Sequence, residues 1–174
     1  PYFHLTFTLP SELRAVTRSS QKLLLGLMCR AAADALQTLA ADRLDGRLGF
    51  SVFVHTWGGT LVWHPHVHVL VPGVAVHSDR TFSVLPHAFL LPVRALSELF
   101  SGIFMTQARR HFPHMPSVPR SKKWVVHCRA CKEGPANVLR HLIRYALRAP
   151  LSEKDILDVT SRSIRFRHTD HGTD

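Results

Sequence analysis

The sequence predicts an α+β fold, one mostly antiparallel sheet with helices packed on a single face. Three observations carry that prediction. Short segments alternate apolar and polar residues with the period of a strand, most clearly Tyr2–Thr8 and His66–Val71. Longer segments, one running to about Asp42 and one over Val93–His111, place apolar residues at helical spacing. Strand and helix signals are mixed along the chain, and the middle strands read as antiparallel. A length of 174 residues fits one domain, and 45% hydrophobic content is enough to fill its core.

Taken in order, Tyr2–Thr8 sets Phe3, Leu5 and Phe7 against His4, Thr6 and Thr8, the pattern of a half-buried strand. Pro10-Ser11-Glu12 reads as a helix entry with Ser11 as N-cap. The helical region that follows carries Leu24, Leu27, Met28, Ala31, Ala35, Leu36 and Leu39 on one face, and Gly46 and Gly49 mark its exit. Leu48–Thr56 is expected as a strand, Trp57–Thr60 as a turn, and His66–Val71 as the next strand, broken by Pro72-Gly73. Val74–Leu85 predicts a small hairpin around Ser78-Asp79-Arg80. Pro92 starts the helix over Val93–His111. A proline-rich basic loop spans Phe112–Lys123, and Trp124–His127 is a short strand. Gly134-Pro135 opens a helix to about Leu147, which Pro150 stops. Ser163–Arg167 alternates once more.

The formal charge is +10, from 22 Lys and Arg against 12 Asp and Glu. That balance points to a polyanionic partner, most commonly nucleic acid. No uninterrupted apolar run reaches the ~18–20 residues of a membrane span. Three cysteines in a chain this long do not make a disulfide framework, so a reducing cytoplasm is expected. Cys128 and Cys131 form a lone Cys-x-x-Cys. Structural zinc needs four ligands, and the pair reads as incidental.

The chemistry concentrates in Trp63–Gly73. Side chains at i and i+2 of a strand share a face, so His66 and His68 project together while Val67, Val69 and Val71 project the other way. Two imidazoles on a rigid strand make half of a site for a divalent metal. The bland alternative is two solvated histidines. His55 is the first candidate for a third ligand, because antiparallel pairing around the intervening loop sets it opposite His66. His64 is the second candidate and His4 the third. No Asp or Glu lies between Asp45 and Asp79.

A second signal lies in the 134–147 helix. Tyr145 shares a face with His141 and Arg148, with Arg140 and Arg144 nearby. The chain has only two tyrosines, Tyr2 and Tyr145. Tyr145 is therefore the natural nucleophile, against the ordinary role of an amphipathic tyrosine at a core edge. Arg144, Arg148, Lys122 and Lys123 are candidates for holding a DNA backbone, or else plain surface charges.

Positions 64–73, His-Pro-His-Val-His-Val-Leu-Val-Pro-Gly, resemble the signature of the HUH nucleases, in which two histidines flank a hydrophobic residue. More narrowly, the chain resembles the two-tyrosine rolling-circle transposases of bacterial insertion sequences. Pro1–Pro10, His55-Thr56-Trp57-Gly58, and the run from Gly134-Pro135 to Tyr145 support that likeness, which covers nearly the whole chain. The resemblance implies a relaxase-like sheet of about five strands with His66 and His68 as metal ligands on a central strand. It implies Tyr145 as nucleophile, a 5′-phosphotyrosine link, Mg²⁺ or Mn²⁺ as cofactor, and single-stranded DNA at transposon ends as partner.

The sequence departs from that pattern in three places. His141 stands where the family has its other tyrosine, Gly59 follows Trp57-Gly58 where a polar residue is usual, and the zinc-binding segment upstream and the extension downstream are expected to be missing from this core. The alternatives are a DNA-binding remnant that has lost turnover, and a plasmid relaxase or replication initiator.

Overall fold

The computed structural model describes residues 1–57, 62–86, 88, 90–119, 122, 124–131, 136–137, 139–140, 143 and 153–167. Gly59, Lys123, His141, Arg144, Tyr145 and Arg148 lie outside them, as does most of the helix expected over 134–147.

The first strand, β1 (Tyr2–Thr8), buries Phe3, Leu5 and Phe7 and leaves His4 and Thr6 half-exposed, as the alternation requires. Its partner β4 (Trp63–Pro72) does the same with Val67, Val69 and Val71. The two pair antiparallel, with Thr6 opposite His68 and Leu5 opposite Val69. Adding β3 (Ser51–Trp57) and β7 (Val125–Ala130) gives an antiparallel sheet of order β3-β4-β1-β7. The histidine strand is therefore central, flanked on both sides. Gly73 closes the β4 end: its N–H donates to the Pro1 carbonyl at 2.8 Å, and a Cβ there would lie 2.5 Å from Pro1 Cγ.

Helices cover one face of this sheet. The single helical region expected up to Asp42 is broken in two. A 3₁₀ turn (Ser11–Leu13) leads into α1 (Arg14–Ser19), and α2 (Gln21–Leu44) follows after Ser20, whose φ of −135° is not helical. Thr17 and Ser19 turn their hydroxyls back onto the Leu13 and Val16 carbonyls, the local competition that weakens serine- and threonine-rich helix interiors. Ser11 is not the N-cap. Pro10 holds that position, and the Ser11 hydroxyl donates instead to Glu12. Asp45, in the left-handed region with φ 47°, ends α2 one residue before the expected glycine.

Composition and length alone would let α2 cross a membrane, with mean hydropathy 1.3. Its Leu24, Met28, Ala31, Ala35 and Leu36 instead fill the core against the sheet and α3 (Val93–His111). In α3, Leu96, Phe100, Phe104 and Ala108 recur every fourth residue and are fully buried. Phe100 meets Phe7 at 5.1 Å between ring centroids, and Trp124 packs on both Phe100 and Phe104. Each such side chain contributes about 1.5–3 kcal/mol by leaving water.

One expectation about the strands needs correction. Leu48–Thr56 is not one strand. Its start, β2 (Arg47–Leu48), leaves the main sheet to pair with β5 (Val74–Val76), which continues the predicted hairpin into β6 (Phe82–Val84). The Gln37 amide clamps the Leu48 backbone through both its oxygen and its nitrogen, which holds β2 on α2. The main sheet has four strands among the described residues. The last alternating segment, β9 (Ile164–Phe166), pairs with β8 (Ile156–Val159) as a separate ribbon.

Candidate metal centre

The face of the sheet opposite the helices carries the polar half of each strand. Antiparallel register sets His55 opposite His66, and Phe53, His68, Thr6 and His127 in one row across the four strands. The predicted pairing of β3 and β4 thus brings His55 to the site. One ring nitrogen from each of His55, His66 and His68 lies within 4.8 Å of the others. His55 Nδ1 and His66 Nε2 are 3.2 Å apart. Two ligands on one ion, with bonds of about 2.1 Å, sit about 3.0–3.4 Å apart at octahedral or tetrahedral angles. The donor set fits a divalent ion, and three imidazoles favour transition-metal character over Mg²⁺.

Neighbouring groups orient the rings. His66 Nδ1–H donates to the His64 carbonyl at 2.7 Å, which leaves Nε2 with its lone pair toward the site. His68 Nδ1 lies 2.9 Å from His4 Nε2, with the two rings stacked at 5.0 Å, and 3.2 Å from the Thr6 hydroxyl. Burial lowers the pKa of His66 and His55, the latter helped by the adjacent His66. Both stay neutral near pH 7, the form that coordinates metal.

His64 and His4, the second and third candidates, stand beside the triad rather than in it. His64 Nδ1 accepts from Arg14 Nη2 at 3.0 Å, so its proton sits on Nε2. Burial, His66 and Arg14 together lower its pKa. Nothing in the sequence marks Arg14. It reaches His64 only because α1 packs against β4.

Lys122 is less available than its charge implies. Its Nζ lies 2.7 Å from the Glu12 carboxylate, whose pKa that contact lowers. Cys128 packs against the core, where burial and the neighbouring Cys131 push its thiol up to about 11. A thiol held that high resists the thiolate form that metal ligation needs. Among the described residues the histidine triad is the one group suited to a metal.

Residues 49–174 match the family described as "Putative transposase" (Y2_Tnp). The chain belongs to this transposase family. It is 34% identical over 193 residues to "Putative transposase y4qJ" of Sinorhizobium fredii, an alignment covering 98% of this chain and 48% of that relative. It is 28% identical over 189 residues to "Transposase for insertion sequence element IS801" of Pseudomonas savastanoi pv. phaseolicola, covering 99% of this chain and 46% of the relative. The chain thus spans about half the length of the curated relatives it matches. No solved structure matches it. The family match includes His55, His66, His68 and Tyr145, whereas His4 and Arg14 precede it.

Proposed function

We propose that this chain is the catalytic core of a metal-dependent enzyme that nicks and rejoins single-stranded DNA at transposon ends in the bacterial cytoplasm. The observation that carries this reading is the triad of His55, His66 and His68 on the uncovered face of a rigid sheet, with ligand nitrogens within 4.8 Å. Those three imidazoles would hold a divalent ion, Mn²⁺ in preference to Mg²⁺. When bound, the ion supplies a Lewis acid that draws charge from a phosphate oxygen.

The nucleophile in this reading is the Tyr145 phenol. Its oxygen forms a bond to phosphorus and gives up its proton to a base or to water. The P–O3′ bond breaks, and the departing oxygen takes a proton to become a 3′-hydroxyl. The strand is then held as a 5′-phosphotyrosine. The ester keeps the energy of the broken linkage, so attack by another 3′-hydroxyl rejoins DNA. Arg144, Arg148 and Lys123 would pair with backbone phosphates, and Lys122 would do so after leaving Glu12. With His141 in place of a second tyrosine, one nucleophile serves each nick.

The test is direct. Incubation with Mn²⁺ and end-labelled single-stranded oligonucleotides should yield an adduct that survives denaturing electrophoresis. Tyr145→Phe should abolish it. An adduct that persists in Tyr145→Phe removes the tyrosine from the mechanism, and binding without any adduct leaves a DNA-binding remnant.

A further inference from the structure

The end of the β3–β4 hairpin carries an aromatic corner that the chemistry above does not use. Trp57 and Trp63 are cross-strand partners with ring centroids 6.0 Å apart, edge to face. Together with Thr56, Arg18 and Gln21 they line a pocket of about 160 Å³. A void of roughly 150 Å³ holds a single six-membered ring. The two tryptophans differ in role. Trp63 is 8% exposed and forms a buried wall, while Trp57 is 39% exposed and offers its ring to solvent.

Two polar features point to a ligand. Among the described residues the Trp63 Nε1–H is buried without a hydrogen-bond partner, a state that costs about 1–3 kcal/mol. Arg18 brings a guanidinium to the rim one helical turn after Arg14, which contacts His64. His64 directly follows Trp63 in β4, so the two side chains leave opposite faces of the strand, and the pocket lies on the side that Arg18 and Gln21 reach from the helices.

We propose that the pocket between Trp57, Trp63, Thr56, Arg18 and Gln21 is a nucleobase site, holding one unstacked base of a single strand. Every base has a π face for Trp57, and a base carbonyl supplies the acceptor that Trp63 Nε1–H lacks. Arg18 faces the neighbouring phosphate. The proposal rests on the DNA-processing reading for its substrate class, but base binding needs neither the metal nor Tyr145.

The experiment uses fluorescence anisotropy of a labelled oligothymidylate of about a dozen nucleotides, with EDTA present. Trp57→Ala should weaken binding about tenfold and Trp57→Phe much less. Metal uptake should match the parent in both. If alanine unfolds the hairpin by circular dichroism, Trp57→Leu takes its place, keeping apolar bulk without a π face. Trp63→Phe, which removes only the N–H donor and one ring, should also weaken binding. Affinities equal to the parent in the Trp57 and Trp63 variants overturn the pocket, even if the parent forms the Tyr145 adduct. Loss of affinity in these variants with no adduct in the parent upholds the pocket and sinks the nuclease reading. A parent that does not bind the oligonucleotide overturns the pocket.

Discussion

The two faces of the four-stranded sheet come from the same strands and do different work. On the helix side, Phe3, Leu5, Phe7, Val67, Val69 and Val71 are at most 1% exposed. On the other side, His4, Thr6, His66 and His68 are half-buried and bonded to one another or to nearby backbone. A period of two lets one backbone serve both ends, because each residue on the apolar face fixes the position of its polar neighbour. The rigidity of the histidine triad is thus borrowed from a core it does not touch. Removing residues from one face should therefore leave the other's property nearly intact.

The largest expected effect tests the polar face. The double change His66→Ala with His68→Ala should abolish Mn²⁺ uptake by calorimetry. The unfolding free energy without metal should move by no more than about 1 kcal/mol. Uptake like the parent's would remove the site. Next comes the apolar face. Phe7→Ala should cost about 3–5 kcal/mol in urea unfolding, while the protein that remains folded binds Mn²⁺ with parental affinity. Weaker binding by that folded fraction would break the separation of the two faces.

A smaller effect tests the ring neighbours. His4→Phe should weaken metal affinity by about 10–100-fold, as losing a hydrogen-bonded partner of a ligand imidazole typically does. An unchanged affinity would mean that His68 is oriented by Thr6 alone. The smallest test concerns the buried side of β7. Alkylation of Cys128 at pH 8 should run at least about tenfold slower in the folded chain than in urea, given a thiol pushed up to about 11. Equal rates would show that β7 does not hold this residue against the core.

Much of the site was legible because strand geometry is local. The i, i+2 relation of His66 and His68 needs no partner strand, and the apolar alternation beneath them states which face is buried. His55 was legible with one further step, antiparallel pairing across a short connection. The neighbours of the triad were not. His4 reaches His68 from sixty-four residues away, and Arg14 reaches His64 from fifty. Both contacts depend on which strand lies beside which and on where α1 docks. The fold class was legible for the same reason as the strands. The break at Ser20, the departure of β2 from the main sheet and the separate β8–β9 ribbon were not. Each is settled by competing hydrogen bonds, from Thr17 and Ser19 hydroxyls, the Gln37 amide and the β8 backbone, that residue patterns do not rank.

The sequence by itself determined that an imidazole pair stands on one side of an apolar strand in a basic transposase-family chain, since periodicity and composition are properties of neighbours in the chain. Only the tertiary structure decided that this strand is central and that His55 completes the triad. It also decided that Arg14, Thr6 and His4 surround it and that two tryptophans wall a pocket at the end of the β3–β4 hairpin. Those arrangements come from strand order and helix docking, which are set by how the whole core closes.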